Sequence, residues 1–270
     1  MREKVIHCGS DFIAPEIFPY STTRQQTARG KRGKKQKISE PKQKNLNDKR
    51  AKRYFIQLAN ANFGKNDLAV HLSYAPEHLP GTYEEAHEIA VAYLRRIAYR
   101  REKLGLPALK YLLITQIGRN KDGTHRIHHH ILMNGGLGRD EVEEMWWKVK
   151  GTKSREAVMY GWANADRLKP NKKGISQMAG YMVQDSLGKK HWTQSQNLEK
   201  PWSYNPNDNK YTRRQLEKIA KSPEDSEEYR NFWERQYRGW SGKDWELVES
   251  ERRYNEQTGW AFYLTMRRKC

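Results

Sequence analysis

The chain has 270 residues, 36% of them hydrophobic, and a formal net charge of +19. That length and apolar content allow one sizeable core and a second small module, and the charge favours polyanionic partners, nucleic acid first. Two cysteines, Cys8 and Cys270, with no Cys-x-x-Cys pair exclude a zinc ribbon and a disulfide framework. The opening residues lack the apolar core of a signal peptide, and no run approaches the ~20 apolar residues of a membrane span. A soluble protein of the cytoplasm, without a membrane partner, is expected.

The charge is unevenly spread. Thirteen Lys/Arg stand against two acids, Glu40 and Asp48, between Arg24 and Arg53. With Gly30, Gly33, Pro41 and few large apolar residues, this stretch reads as mobile. Residues 1–49 are therefore expected to form a basic arm that contacts phosphates.

Beyond the arm, Tyr54-Phe-Ile-Gln-Leu58 and Leu68-Ala-Val-His-Leu-Ser-Tyr74 read as strands. Thr82 with Glu85 fits a helix-capping box, and Ala86, Ile89, Ala90, Tyr93, Leu94 and Ile97 follow at helical spacing until Gly105-Leu-Pro107. Tyr111–Ile117 and Ile127–Met133 flank the turn-rich Gly118–Thr124 and predict a β-hairpin. A short helix is expected over Asp140–Val149, a strand over Ala157–Trp162 and a helix over Ile175–Ser186. The order β-β-α-β-β-α-β-α across residues 50–190 implies an α+β fold, a mostly antiparallel five-stranded sheet with flanking helices. Residues 191–270 read as a C-terminal extension. It begins with irregular chain, continues with helices over Tyr211–Ala220 and Glu227–Tyr237, and ends in a β-hairpin of Trp245–Tyr254 with Trp260–Arg267.

The most informative segment is Ile127-His-His-His-Ile-Leu-Met133. On a strand, His128 and His130 share one face and His129 takes the other. The hairpin brings Gln116 near one of them. Two imidazoles and an amide oxygen would leave open positions on a Mg²⁺ or Mn²⁺ ion for water and a phosphate. Spacing alone leaves open that Gln116 faces solvent or bonds its own strand. On the last helix, Tyr181 shares a face with Gln184 and Asp185. A phenolate can attack phosphorus, although with 15 tyrosines in the chain a packing role stays open.

The order of these segments resembles the HUH endonuclease superfamily, in particular the rolling-circle replication initiators of phages and small mobile elements. The first motif is Val70-His-Leu-Ser-Tyr74, the second Arg126–Gly136 with its His-His-His, and the third Ala179-Gly-Tyr-Met-Val-Gln184. Ser195, Asn197, Leu198 and Pro201 match a Ser-x-Asn-Leu-x-x-Pro stretch that follows the third motif in that branch. The resemblance spans about residues 50–205. It implies an HUH-like nicking domain with His128, His130 and Gln116 as ligands of Mg²⁺ or Mn²⁺, and Tyr181 as nucleophile on single-stranded DNA at a replication origin. The products would be a 5′-phosphotyrosine and a free 3′-hydroxyl, with host polymerase and helicase as partners in a bacterial cytoplasm. Trp146, Trp147 or Trp162 could stack on bases, although for each tryptophan taken singly a place in the core is the commoner one.

Three positions depart from the pattern. His129 stands where a bulky apolar residue is usual, Gln116 where Glu is frequent, and Gln184 where Lys is usual. The last would pass activation of Tyr181 to the metal or to a basic residue such as Lys189 or Lys190. Asp185 stands where some relatives carry a second tyrosine, so a single-tyrosine enzyme is expected. A conjugative relaxase, a single-tyrosine transposase and a non-catalytic nucleic-acid binder of the same fold remain alternatives.

Overall fold

The computed structural model describes residues 1–20, 41–119, 125–183 and 192–269. In chain order the elements are β1 (Arg2–Cys8), β2 (Phe12–Phe18), α1 (Pro41–Asn62), β3 (Leu68–Ser73), α2 (Tyr83–Lys103), β4 (Tyr111–Arg119), β5 (His125–Met133), α3 (Arg139–Glu144), β6 (Trp147–Val149), β7 (Val158–Met159), β8 (Ala163–Arg167), α4 (Ser176–Met182), β9 (Thr193–Gln194), β10 (Trp202–Ser203), α5 (Arg213–Ile219), α6 (Glu227–Gln236), β11 (Trp245–Asn255) and β12 (Gly259–Arg268). The chain divides into two compact units, residues 51–199 and residues 1–50 with 200–270. Among the described residues, no helix is long and apolar enough to cross a membrane.

The unit of residues 51–199 is α+β. Its five-stranded antiparallel sheet runs in the order β8-β3-β5-β4-β9. Strand alternation sorts the apolar residues onto two faces. Leu68, Val70, Leu72, Leu113, Ile131 and Met133 pack against Ala90, Tyr93, Leu94 and Ile97 of α2. Leu112, Ile114 and Leu132 pack against Phe55, Leu58 and Ala59 of α1 and Ala179 and Met182 of α4. The helix α2 starts as its sequence dictates: the Glu85 amide donates to Thr82 Oγ1 at 3.1 Å, while the Glu85 carboxylate accepts from the Gly81 amide. At the start of β4, the Ser195 amide donates to the Tyr111 carbonyl and the Tyr111 amide to Ser195 Oγ. Asn197 Nδ2 donates to the Leu109 carbonyl, so this part of the Ser-x-Asn-Leu stretch works as a clasp on the sheet edge.

The other unit holds a second antiparallel sheet, β10-β1-β2-β12-β11. Val5, Ile13, Ile17, Phe262 and Met266 pack against Leu216, Ile219, Tyr229 and Trp233 of α5 and α6. Glu3 is buried, and its carboxylate accepts from Tyr237 Oη at 2.6 Å and pairs with Lys210 at 2.8 Å.

Several elements differ from the sequence reading. Tyr54–Leu58 is helical, because Phe55, Leu58 and Ala59 lie at i, i+3 and i+4 and bury together, a period that a five-residue window hides. Of the expected arm, residues 1–20 carry the paired strands β1 and β2, and Pro41–Lys49 lie in α1; the segment between falls outside the described residues. The C-terminal hairpin is joined to those N-terminal strands through β2 and β12 and is not a separate extension. The strand expected at Ala157–Trp162 is present only as the short β7 (Val158–Met159), and a second strand, β8, follows at Ala163–Arg167. Between them, position 161 has to be glycine, because a Cβ there would stand 2.5 Å from Ala75 N and Ser73 O. The expected helix over Asp140–Val149 stops at Glu144 and gives way to β6, and the helix α4 starts at Ser176, with Gln184 and Asp185 outside the described residues.

Candidate metal centre

The site is built on the three central strands. In register, Ser73 of β3, His128 of β5 and Gln116 of β4 form one cross-strand row; His71, His130 and Ile114 form the next. Cross-strand partners share a face, so three imidazoles converge. The potential ligand nitrogens of His71, His128 and His130 all lie within 4.8 Å of one another, and this group could hold a metal ion. The His71 and His130 rings are 4.8 Å apart, and His128 and His130 are 5.0 Å apart. His128 Nδ1 and His130 Nε2 are buried and have no hydrogen-bond partner among the described residues. Buried imidazole nitrogens without a partner, in a cluster of this size, are what a cation would satisfy.

Burial pushes the His128 imidazole down to about 4 and His130 down to about 3, helped by the neighbouring histidines and by Arg126. Burial and Arg126 also lower His71. The cluster is therefore neutral at physiological pH and offers lone pairs, the form a cation needs.

Gln116 arrives beside His128, as the hairpin requires, but in another role. Its Nε2 donates to the Met182 carbonyl at 2.8 Å, so its Oε1 faces His128 Nε2, also at 2.8 Å. His128 must then donate from Nε2, which leaves Nδ1, the orphaned atom, as its lone-pair nitrogen. The third imidazole is His71, which the sequence reading left out of the ligand set. A glutamate at 116 could not donate to Met182, so the neutral amide suits this bridge.

His129 takes the opposite face, fully buried between Tyr74 Oη at 2.8 Å and Thr115 Oγ1 at 2.9 Å. It fixes β5 from behind.

Tyr181 stands at the edge of the cluster, 68% exposed, its ring centroid 6.1 Å from that of His130. Its helix is tied at both ends. Asn60 of α1 accepts from the Ile175 amide and donates to Ser176 Oγ, which replaces a local cap; Gln116 holds the Met182 carbonyl. Between them, Gly180 leaves room for Lys52 of α1, whose Cε and Nζ lie 3.5 and 4.0 Å from where a Cβ would stand. That places an ammonium beside the tyrosine's helix. The accessory candidates Gln184 and Asp185, and the basic candidates Lys189 and Lys190, lie outside the described residues.

Of the three tryptophans weighed between core and base stacking, Trp146 is buried in the core and donates to the Ser73 carbonyl, and Trp147 lies 4.1 Å beneath the Arg96 guanidinium. Both are committed to the fold. Trp162 is 65% exposed.

Fold and site together define an α+β protein with a three-histidine centre on the middle of an antiparallel sheet and an exposed tyrosine at its edge. No protein-family model, curated protein or solved structure matches this chain.

Proposed function

We propose that this chain is a metal-dependent nickase and strand transferase of HUH type acting on single-stranded DNA, as a rolling-circle replication initiator would. The observation that carries the reading is the convergence of His71, His128 and His130 beside an exposed Tyr181, on the middle strands of the sheet. Three imidazoles without a carboxylate suit a borderline cation such as Zn²⁺ best; of the two ions expected from the sequence, Mn²⁺ accepts nitrogen donors more readily than Mg²⁺. When bound, such a cation would polarise a phosphate oxygen and offset the charge that develops there.

The remaining chemistry belongs to the chain. Tyr181 Oη attacks the scissile phosphorus. One P–O bond forms to the tyrosine, the bond to the 3′ oxygen breaks, and that oxygen leaves as an alkoxide that takes a proton from solvent, giving a free hydroxyl that a polymerase can extend. The proton lost from the phenol passes to solvent. The 5′-phosphotyrosine conserves the ester, so rejoining needs no nucleotide. Gln116 holds the lone pair of His128 toward the cluster, and Asn60 and Gln116 hold the tyrosine helix at its two ends. The net charge of +19 supplies phosphate affinity.

The test is a covalent adduct. Origin-type single-stranded DNA with Mn²⁺ should yield a protein–DNA band that resists denaturant. Tyr181→Phe, at a highly exposed position, should fold normally and give no band. A persistent band in that variant sinks the nucleophile assignment, and nicking that survives His71→Ala with His128→Ala sinks the metal centre.

A further inference from the structure

We propose that Trp162 and Arg126 form a nucleotide-binding track across the sheet, in which the indole stacks on a base and the guanidinium holds a phosphate next to the histidine cluster. This deepens the preceding reading, since it takes single-stranded DNA as the ligand.

The register carries the inference. The ladder between β3 and β8 pairs Leu72 with Ala163 and His71 with Asn164, and it runs on by one residue: the Ser73 amide donates to the Trp162 carbonyl at 2.8 Å, and Ser73 Oγ donates to the same oxygen at 3.2 Å. Gln116, His128 and Ser73 thus stand in a single row across three strands, and Trp162, the residue just before β8, continues it through its bond to Ser73. Alternation puts Trp162 on the face of Asn164 and His71. Strands lie about 4.8 Å apart, so the row carries Trp162 roughly 10 Å from His128. That is about the reach from a phosphate to the base of an adjoining nucleotide.

Trp162 is also held rigidly. The Ala75 amide donates to the Tyr160 carbonyl at 2.9 Å, and between these anchors the bare Cα of Gly161 lies flat on the β3 backbone. A tryptophan this exposed, on a backbone this constrained, spends apolar area on solvent without gaining packing. Among the described residues its indole has no recorded ring or hydrogen-bond partner. A stacking ligand supplies one, and base stacking tolerates any sequence.

Arg126 supplies the charge. It lies two residues before His128 on the same face of β5, about 7 Å along the strand, and it is exposed. Its partner in the ladder is Gly118, which has no side chain to cover it. Its field reaches all three histidines. Cation and indole therefore flank the cluster in two directions, one along the strand and one across it.

The experiment measures binding of fluorescein-labelled oligothymidylate to the full chain by anisotropy, with EDTA present so that no turnover occurs. The same is done with a strand of equal length in which every position is abasic. Trp162→Ala should weaken binding to oligothymidylate by about 5- to 100-fold, and Trp162→Phe should restore most of it. The wild type should lose a comparable factor on the abasic strand, while Trp162→Ala should bind both strands alike. Arg126→Gln should weaken both strands and lower the salt slope by about one. If Trp162→Ala binds oligothymidylate like the wild type, or loses as much on the abasic strand, the track is wrong, even if the adduct assay succeeds. If the adduct assay fails on every DNA while the Trp162 and abasic effects coincide, the track stands and the nicking reading falls.

Discussion

Replacing His129 by leucine tests how the buried face of the histidine strand is held. At pH 7 the variant removes the bond of Thr115 Oγ1 to His129, leaving Thr115 its bond to Tyr83, and leaves Tyr74 Oη the long 3.4 Å contact to the Ala86 carbonyl. Each of the two buried hydrogen bonds lost costs about 1–2 kcal/mol, so a loss of about 2–4 kcal/mol is expected. Acid reverses the comparison. Burial, with the neighbouring His128, His87, His130 and His71, pushes the His129 imidazole down to about 3 from an ordinary 6.5. Because folding lowers this value, the unfolded chain takes up the proton first as pH falls. The stability is whole above about 6.5 and drains away between there and about 3. At pH 4.5, two units below 6.5, the wild type forfeits about 3 kcal/mol through this one group. The leucine variant forfeits nothing there, so the gap of about 2–4 kcal/mol should close nearly to zero. Urea melts followed by circular dichroism at pH 7, 6, 5 and 4.5 measure this directly. Parallel stability curves for the two proteins below pH 6 would falsify the claim that His129 is buried neutral.

Two further outcomes follow from the geometry. Gln116→Leu removes both the His128 tautomer lock and the partner of the Met182 carbonyl, so affinity for Mn²⁺ or Zn²⁺ should drop about 10- to 100-fold by titration calorimetry; unchanged affinity would mean that Gln116 does not set the ligand geometry. Gly161→Ala forces a Cβ against the backbone of Ser73 and Ala75, and thermal melts should show a loss of about 1–3 kcal/mol or more.

Local signals in the sequence were enough for much of the unit around the site. The Thr82 cap, the apolar spacing of α2 and the hairpin of β4 and β5 all depend on residues close in the chain, and the structure has each of them. The face shared by His128 and His130 followed from strand alternation alone. His71 did not, because its place beside His130 depends on β3 pairing with β5 across a long intervening segment. A signal was present: His71 is the polar interruption between Val70 and Leu72 in an alternating strand. The role of Gln116 was equally out of reach, since its second partner is a backbone carbonyl at the end of a helix that only tertiary packing brings near. The N-terminal strands were missed for a related reason. The basic segment that follows them dominated the composition, and their sheet partners lie at the other end of the chain.

That last pairing sets an order of events during synthesis. The unit that carries the histidines is one uninterrupted stretch, residues 51–199, and all its sheet partners are present once that stretch has been made. The other sheet cannot close so early. β2 waits for β12, which begins only at Gly259. At 5–20 residues per second the ribosome takes roughly 10–50 s to cover that interval. Throughout it, Ile13 and Ile17 on β2 lack the strand and the aromatic helix α6 that bury them. The N-terminal hairpin thus keeps its apolar face uncovered through most of synthesis, while the histidine cluster can assemble before the last strand is made.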